Sequence, residues 1–305
     1  MKWISAEALA AAAPYRDIVE TLRTAFAGDI TTPVRHHHET GAATLLLMPA
    51  WTKDWTGIKT VTVKPDNASK ALPSVQAAYM LIDNATGTPS VAMDGTELTR
   101  RRTAAASALA ADYLARQDAK VLALVGAGEL ALHFAKAHAS VRPIRTVLVC
   151  NRTPEKAQAV VKALTAGGFE ARVSSLENAV KLADVVACVT SSSVALVRGA
   201  WLKPGTHLDL AGAYKPAMRE VDGDAVAMAR VYVDTREGAL AEAGDLIQAA
   251  AEGKFEFSHV HGDLSELCRG KVQGRTSAAE ITLFKSCGTA LEDLATAVMV
   301  HLRTG

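Results

Sequence analysis

The chain has 305 residues, of which 49% are hydrophobic and 21% charged, a length that allows two domains of ordinary size. This composition excludes a disordered chain, which would be poor in apolar residues. The 33 basic and 32 acidic side chains leave a net charge of +1, so we expect no general binding of nucleic acid, which needs a concentrated basic surface.

The N-terminal part of the chain mixes helical and strand patterns. Residues 15–27 predict an amphipathic helix, because apolar side chains recur on one helical face. Residues 43–49 and 57–63 predict strands, the second with clear alternation. The segment that follows predicts two more strands, joined by a turn at residues 84–87. A helix rich in Ala and Leu is then expected from Thr99 to about Gln117.

From Lys120 the pattern changes to strands that alternate with helices. Residues 120–125 are a short apolar run, typical of a parallel strand covered on both faces. Strict alternation over residues 120–250 predicts a doubly wound parallel sheet of the Rossmann type. The last helix, roughly Cys287–Leu302, comes after this sheet and would return to the first domain.

The sequence therefore predicts an α/β fold with two domains. We expect an NAD(P)-binding Rossmann domain at residues 118–285 and a discontinuous α+β domain at residues 1–117 and 286–305. No run of 18 or more apolar residues is present, so we expect no membrane-spanning helix. Glu7 interrupts the apolar N-terminus, and the widely spaced cysteines indicate buried thiols in a reducing compartment, so we expect a cytoplasmic protein.

Residues 126–131 fit the pattern G-x-G-x-x-G/A, directly after an apolar strand and at the start of a helix. Gly126 and Gly128 would let the backbone turn tightly and approach a pyrophosphate, which the helix N-terminus would attract. A tight turn without a ligand is the alternative. The position at the start of a strand–helix–strand unit favours a dinucleotide site.

The residues after the next strand favour NADP over NAD. NAD-binding proteins commonly carry an acidic residue there, which hydrogen-bonds the ribose hydroxyls. This chain has Asn151, Arg152 and Thr153, so no carboxylate would repel a 2′-phosphate, and a guanidinium and a hydroxyl could bind it. Lys156 adds positive charge. The alternative is that Arg152 is an ordinary surface arginine.

Three cations in the first domain are candidates for substrate binding: Arg35, Lys59 and Arg102. Lys59 lies in an apolar strand and Arg102 lies on the Ala-rich helix. Lysine is rarely buried without a partner, and a ligand carboxylate would be a natural one. The alternatives are a side chain that reaches solvent and an internal salt bridge.

The sequence gives no support to metal or hydrolytic chemistry. His36, His37 and His38 are consecutive, so on a strand at most two of them share a face. No H-x-x-x-H pattern or matching carboxylate cluster lies nearby, and we expect no metal site. A G-x-S-x-G elbow and a P-loop are also absent from the sequence.

Several blocks of sequence, in the right order, resemble the ornithine cyclodeaminase/mu-crystallin family over essentially the whole length. The blocks are LLMPAW, GIKTVTVKPDN, LIDNATGTP, RTAAASALAA, VGAGELA and ITLFKSCGTALEDLATA. The resemblance is greatest to the family's cyclic ketimine reductases. It implies that the discontinuous domain binds substrate and forms a homodimer, and that the C-terminal helix completes this domain.

The resemblance also implies roles for individual residues. Arg35, Lys59 and Arg102 would surround a substrate carboxylate, with Arg102 also near the cofactor. Cys287 would contact the substrate and, with Gly288, lie close to the nicotinamide. Further cofactor contacts are implied for Ser74, Glu129, Leu130, Thr190 and Ser286.

Two positions depart from the pattern of cyclodeaminases. These enzymes carry a Glu where this chain has Leu46 and an Asp where it has Tyr214. Cyclodeamination must move protons and expel ammonia, which calls for positioned carboxylates. Their loss disfavours ornithine cyclodeaminase activity, which stays an alternative.

A site that holds a carboxylate beside NADPH favours reduction of a cyclic imino acid. Δ1-Pyrroline-2-carboxylate or Δ1-piperideine-2-carboxylate would accept hydride at C2 and yield proline or pipecolate. The protonated imine is already electrophilic and needs chiefly correct orientation, for which we expect Lys59 to be the catalytic residue. An alanine-type dehydrogenase and a non-enzymatic NADPH- and small-ligand-binding protein of the mu-crystallin type remain alternatives.

Overall fold

The computed structural model describes residues 1–70 and 72–305. Two compact units result, Met1–Thr103 with Thr289–Gly305, and Ala104–Gly288. The first boundary lies inside a helix, earlier in the chain than the predicted residue 117. The reason is that the alanines from residue 104 onward are fully buried in the second unit.

The helices and strands form two series along the chain. Residues 1–120 contain β1 (Lys2–Ile4), α1 (Ala6–Ala12), α2 (Tyr15–Ala27), β2 (His36–Glu39), β3 (Thr44–Trp51), β4 (Trp55–Val63), β5 (Val75–Asp83), β6 (Thr88–Asp94) and α3 (Gly95–Leu114). Residues 121–305 contain β7 (Val121–Val125), α4 (Ala131–Val141), β8 (Thr146–Cys150), α5 (Pro154–Ala166), β9 (Glu170–Val173), α6 (Leu176–Leu182), β10 (Val185–Cys188), β11 (His207–Leu210), α7 (Gly223–Ala227), β12 (Arg230–Val233), α8 (Arg236–Glu242), α9 (Gly244–Ala251), β13 (Val260–Asp263), α10 (Leu264–Cys268), β14 (Thr282–Lys285) and α11 (Ala290–Thr304).

The first unit is a mainly antiparallel sheet in the order β1-β6-β5-β4-β3-β2, with β1 parallel to β6. In β4 the side of the strand that carries Gly57, Lys59 and Val61 is buried, as the alternating sequence predicts. Helix α11 packs against β3 and β4 on this side and also against α2. The apolar face of α2 is fully buried, which matches the predicted helix over 15–27.

Strand β2 lies at the edge of this sheet, and all four of its residues are exposed. Its histidines include His36 and His38, whose ring centroids are 6.4 Å apart. No group of three or more His, Cys, Asp or Glu residues that could hold a metal ion occurs in the described parts of the chain.

The second unit is a parallel sheet in the order β13-β12-β14-β11-β10-β7-β8-β9. The predicted doubly wound Rossmann fold is confirmed. Strands β8 and β9 follow β7 on one side, whereas β10 and β11 lie on its other side. Ligands of such sheets bind at the carboxyl ends of the strands where the order reverses, which here is between β7 and β10.

Throughout residues 1–70 and 72–305, no helix is both long enough and apolar enough to cross a membrane.

Candidate functional site

The glycine-rich turn follows β7 at the point where the strand order reverses. Gly126 is buried with φ +111°, and a Cβ there would lie 2.9 Å from the carbonyl oxygen of Val189, so only glycine fits. Gly128 is exposed, and a Cβ there would meet no atom within 4 Å. Ala131, the third small residue of the motif, is fully buried at the start of α4. The turn is thus fixed on its inner side and open on its outer side, which suits a pyrophosphate.

Two side chains brace this turn from the neighbouring strands. The Asn151 Oδ1, just after β8, accepts a hydrogen bond from the Ala127 N–H at 3.2 Å. The Asn151 Nδ2 donates to the Thr153 carbonyl at 3.0 Å. From the other side, the Thr190 methyl lies 3.2 Å from where a Cβ of Gly126 would be. The structure therefore gives Asn151, predicted as a cofactor residue, a bracing role inside the turn.

The remaining residues of the predicted phosphate site lie at the beginning of α5. Arg152, Thr153 and Lys156 are all exposed, and Thr153 directly precedes the helix. Glu155 adds one negative charge in the same helical turn. A guanidinium, an ammonium and a helix N-terminus at one place form a suitable environment for a phosphate group.

In the first unit Lys59 lies on the buried side of β4, facing α11. Its ammonium donates a hydrogen bond to Asp293 Oδ1 at 2.9 Å and lies 2.8 Å from Oδ2, and only 1% of the lysine is exposed. Tyr79 is directly opposite in the strand register, and its hydroxyl is buried. An internal salt bridge, one of the alternatives for Lys59, is thus present.

Arg102 on α3 contacts the same part of α11. Its Nη1 donates to Glu292 Oε2 at 2.5 Å, and its Nε lies 2.9 Å from Asp293 Oδ1. Arg35, in the loop before β2, is close enough to act electrostatically on Lys59. We call these five residues the cationic cluster. The cluster combines three cations with two carboxylates, and a ligand carboxylate would be a further anionic partner for the cations.

The environment of Lys59 makes its proton unusually labile. Burial, Arg102 and Arg35 lower the pKa of its ammonium and Asp293 opposes them, which together give a pKa of about 8. At neutral pH the side chain is therefore still mostly charged, and a modest change in its surroundings would release the proton.

Sequence reasoning did not find Glu292 and Asp293, which are both fully buried in the first turn of α11. The available signal was a pair of carboxylates in the otherwise apolar run ALEDLATAVMV. Buried carboxylates are rarely unpaired, so this pair predicts cationic partners elsewhere in the fold.

The other predicted residues fall in both units. Ser74 lies before β5 in the first unit and is partly buried; Glu129 is exposed and Leu130 partly buried in the turn before α4 of the second unit.

Ser286, Cys287 and Gly288 follow β14 and share one acceptor, Asp234 Oδ2. It accepts the Ser286 hydroxyl at 3.2 Å and the backbone N–H groups of Cys287 and Gly288 at 2.7 and 2.5 Å.

Residues 4–304 match the ornithine cyclodeaminase/mu-crystallin family, which covers both units. The chain belongs to this family. It is 34% identical to a Δ1-pyrroline-2-carboxylate reductase of Colwellia psychrerythraea over 97% of each chain. As a family member that shares this identity with a named reductase, it is an NAD(P)H-dependent oxidoreductase.

Two solved structures are also similar over the whole chain. The Thermococcus litoralis Δ1-pyrroline-2-carboxylate reductase, in complex with NADH and L-proline, is 33% identical. It has a TM-score of 0.96, with 100% of this chain and 97% of that chain covered. An archaeal alanine dehydrogenase dimer with bound NAD is 30% identical, with a TM-score of 0.94 and coverage of 100% and 96%.

The two departures from the cyclodeaminase pattern can be located within this family fold. Leu46 is buried on the same side of β3 as Met48, which pairs with Lys59 in the sheet register. An apolar side chain thus lies on the face of the sheet that carries Lys59. Tyr214 is partly buried in the loop after β11, where the Lys215 ammonium lies 5.9 Å from its ring centroid.

Proposed function

We propose that this protein reduces cyclic imino acids with NADPH. The substrates would be Δ1-pyrroline-2-carboxylate, Δ1-piperideine-2-carboxylate or both, and the products proline and pipecolate. The observation that carries the proposal is the cationic cluster, because it gathers three cations, of which Lys59 and Arg102 are buried, at one place in the first unit where a substrate carboxylate could bind. The similarity to named Δ1-pyrroline-2-carboxylate reductases supports the choice of substrate.

The proposed reaction requires orientation of the substrate more than acid–base catalysis by protein side chains. When bound, the nicotinamide supplies a hydride. The protein must hold the imino acid in one orientation and exclude water, which is worth several orders of magnitude in rate. Leu46 contributes an apolar wall where a cyclodeaminase would carry a carboxylate, so no group there would abstract a proton.

Within the cluster we assign Lys59 as the catalytic residue. Lys59 and Arg102 would bind the substrate carboxylate, and Asp293 would keep both cations in place through one hydrogen bond and two ion-pair contacts of 2.8–2.9 Å. Arg35 would complete the binding of the carboxylate. With a pKa of about 8, the Lys59 ammonium could also hold or release a proton near the ring nitrogen.

The preference for NADPH over NADH belongs to the same proposal. It is supported by exposed Arg152 and Lys156 at the start of α5 and by the absence of a carboxylate among residues 151–153. The solved relatives carry NADH and NAD, so the choice between the two cofactors is a direct test of these residues.

The decisive assay follows NADPH and NADH oxidation with a panel of compounds. The panel contains both cyclic imino acids, pyruvate with ammonia, pyruvate with methylamine, and ornithine. We expect kcat/KM for at least one cyclic imino acid to exceed that for every open-chain pair by about 10²-fold or more. Equal rates with pyruvate and ammonia would contradict the proposal.

Alanine dehydrogenase activity is the second candidate, because the archaeal alanine dehydrogenase superimposes almost as well as the reductase. It would require the site to bind ammonia and an open-chain imine. Rapid turnover of pyruvate with ammonia would establish it. Formation of proline from ornithine would show that the argument from Leu46 and Tyr214 is mistaken, and cofactor binding without turnover would favour a binding protein.

We also propose that the protein is a homodimer formed through the first unit. Large apolar side chains of that unit are exposed, including Trp3, Val34 and Trp51. The archaeal alanine dehydrogenase of the same fold is a dimer. Self-association through one self-complementary face is the commonest route to a dimer.

A further inference from the structure

One fully buried carboxylate, Glu220, joins the ends of two neighbouring strands of the second unit. Its Oε1 accepts hydrogen bonds from the backbone N–H and the hydroxyl of Thr190 at 2.7 and 2.8 Å. Its Oε2 accepts from the N–H groups of Gly212 and Ala213 at 2.7 and 3.2 Å. Thr190 follows β10 and Gly212 follows β11, and these strands pair in parallel. A single side chain thus fixes the carboxyl ends of both strands.

The sequence is adapted to this close approach at Gly212. A Cβ there would lie 2.0 Å from the Thr190 carbonyl oxygen and 2.3 Å from Glu220 Oε1. No residue with a side chain fits between the two strand ends while Glu220 occupies its position. The glycine and the carboxylate therefore form one structural unit.

Glu220 is connected to the glycine-rich turn through Thr190. The Thr190 methyl lies 3.2 Å from where a Cβ of Gly126 would be, so Thr190 is packed against the inner side of that turn. The carboxyl ends of β7, β10 and β11 are also the edge at which an open parallel sheet binds its ligand. A displacement of Thr190 would therefore move atoms that border the cofactor position.

Asp245 holds the backbone at Glu220, and Lys285 in turn contacts Asp245. Asp245, at the start of α9, accepts the Glu220 and Val221 backbone N–H groups on Oδ1 at 2.6 and 3.0 Å. Its Oδ2 lies 3.2 Å from the fully buried Lys285 ammonium at the end of β14. Burial and Asp245 raise the pKa of the Glu220 carboxyl, Lys285 and the hydrogen bonds from Thr190 oppose them, and together these effects give a pKa of about 7.

We infer that Glu220 is a positioning residue for the nicotinamide cofactor, acting through Thr190 and the backbone at residues 212–213. The inference rests on the proposed function only in that a nicotinamide cofactor binds at the turn after β7. It predicts that ionised Glu220 is needed for full cofactor affinity, and that no reacting atom needs to touch Glu220 itself.

The test is the variant Glu220→Gln, studied by fluorescence titration of NADPH and NADH without substrate. A glutamine keeps the size of the side chain, but its NH2 group would face N–H or O–H donors on one side. We expect Kd for both cofactors to rise about tenfold or more. In turnover, KM for the cofactor should rise by a larger factor than kcat falls.

Asp209→Asn is the matched control. Asp209 is fully buried in β11 and accepts hydrogen bonds from Ser107 and His138, both at 2.8 Å, rather than from Thr190, Gly212 or Ala213. The Asp209→Asn substitution should lower thermal stability without changing cofactor Kd. If both variants weaken the cofactor equally, the effect reflects general destabilisation and the inference is wrong.

The pH dependence of cofactor binding by the same variant supplies a second measurement. Lys285 and Asp245 act electrostatically on Glu220, and Glu220 adds to the effect of burial in raising the pKa of the Cys188 thiol. As pH falls through about 7, wild-type Glu220 gains a proton and loses acceptor capacity, so the Kd ratio of Glu220→Gln to wild type should shrink. If the glutamine variant does not fold, Thr190→Val, which removes one bond to Glu220, should weaken the cofactor more than Thr190→Ser, which keeps it.

The outcomes separate the two proposals. Unchanged Kd in a folded Glu220→Gln protein, or equal effects of the valine and serine variants, would overturn the inference alone. Wild-type cofactor binding without imino acid reduction would overturn only the proposed reaction. Failure of the wild type to bind either cofactor would overturn both.

Discussion

At the scale of single residues, the charge of Lys59 is matched inside the protein before any substrate arrives. Asp293 takes hydrogen bonds from Lys59 and lies within 2.9 Å of Arg102. Burying charged groups is unfavourable unless they are paired, so Asp293 allows the fold to keep two cations out of water. The cations of the cluster are thereby held in place where a ligand carboxylate could bind them.

The variant Lys59→Met tests this arrangement. It keeps most of the apolar stem and removes the ammonium, so we expect kcat/KM for the cyclic imino acid to fall about 10²-fold, from lost charge pairing and lost orientation. Cofactor Kd should be unchanged. The same substitution at exposed Lys53 serves as the control and should leave both quantities near wild type. Nearly normal imino acid reduction by folded Lys59→Met would refute the site assignment.

Arg152 is the residue on which cofactor choice depends most. Because only NADPH carries a 2′-phosphate, Arg152→Ala should raise Kd for NADPH by roughly 10- to 100-fold and leave Kd for NADH nearly unchanged. Arg172→Ala, at an exposed arginine on β9, is the matched control. The assignment is wrong if the wild type prefers NADH or if Arg152→Ala weakens both cofactors equally.

At the scale of elements, the two glycines after β7 serve different purposes. Gly126 is required by its backbone conformation and by the contact with Val189, whereas Gly128 borders open space. Gly126→Ala should therefore reduce the free energy of unfolding by about 1–3 kcal/mol. Gly128→Ala should change stability by less than about 0.5 kcal/mol and still weaken cofactor binding, because its Cβ would occupy the phosphate side.

Urea unfolding and cofactor titration of the two glycine variants measure these effects. If Gly128→Ala binds cofactor as tightly as wild type, the open side of the turn is not the phosphate side. If Gly126→Ala is as stable as wild type, the positive φ and the close contact do not limit the choice of residue at that position.

Strand β11 carries a buried histidine that makes the second unit sensitive to acid. The Thr282 hydroxyl donates to the Leu114 carbonyl, so it can accept from His207 Nδ1, which must carry the proton. His207 Nε2 has no hydrogen-bond partner in the described parts of the chain. Burial, and then the charges of His138, Arg275 and Arg142, hold the pKa of His207 well below its usual value.

The consequence is a loss of stability below about pH 6.5. Below this pH the unfolded chain binds a proton at His207 and the folded chain does not. The free energy of unfolding should therefore fall by up to about 1.4 kcal/mol for each unit by which the pH decreases. His207→Asn keeps a donor near Nδ1 and cannot titrate, so its stability should depend less on pH between 7 and 5. Urea unfolding at several pH values checks this, with exposed His259→Asn as control. An unchanged slope in His207→Asn would exclude His207 as the cause.

How far the sequence predicts the elements depends on their length and their partners. The long helix α2 and the apolar strand β7 carry enough periodicity to be recognised. The four-residue strand β14 does not, because Thr282–Lys285 gains its place in the sheet only by pairing with distant β11 and β12. The roles of Glu220 and Asp293 are not predicted from the sequence, because Thr190 is 30 residues from Glu220 and Lys59 is 234 residues from Asp293.

At the scale of the whole molecule, assembly is the first property to measure. If the exposed apolar side chains of the first unit form a self-complementary face, sedimentation equilibrium at micromolar concentration should give about 64 kDa, twice the chain mass of 32.1 kDa. Trp3→Glu, at a side chain that is 59% exposed, should shift the equilibrium toward monomer. A wild type that sediments only at 32 kDa would refute the homodimer.

The positions of β14 and α11 bear on how the chain acquires its structure during synthesis. Strand β14 fills the gap between β11 and β12, and α11 covers β3 and β4. Until the ribosome has released residues 282–304, the parallel sheet is divided in two and the other sheet lacks its covering helix. We therefore expect that neither unit completes its fold before the chain is almost fully synthesised. A ribosome that stalls just before residue 282 would yield two incomplete cores, whose exposed apolar surface favours aggregation.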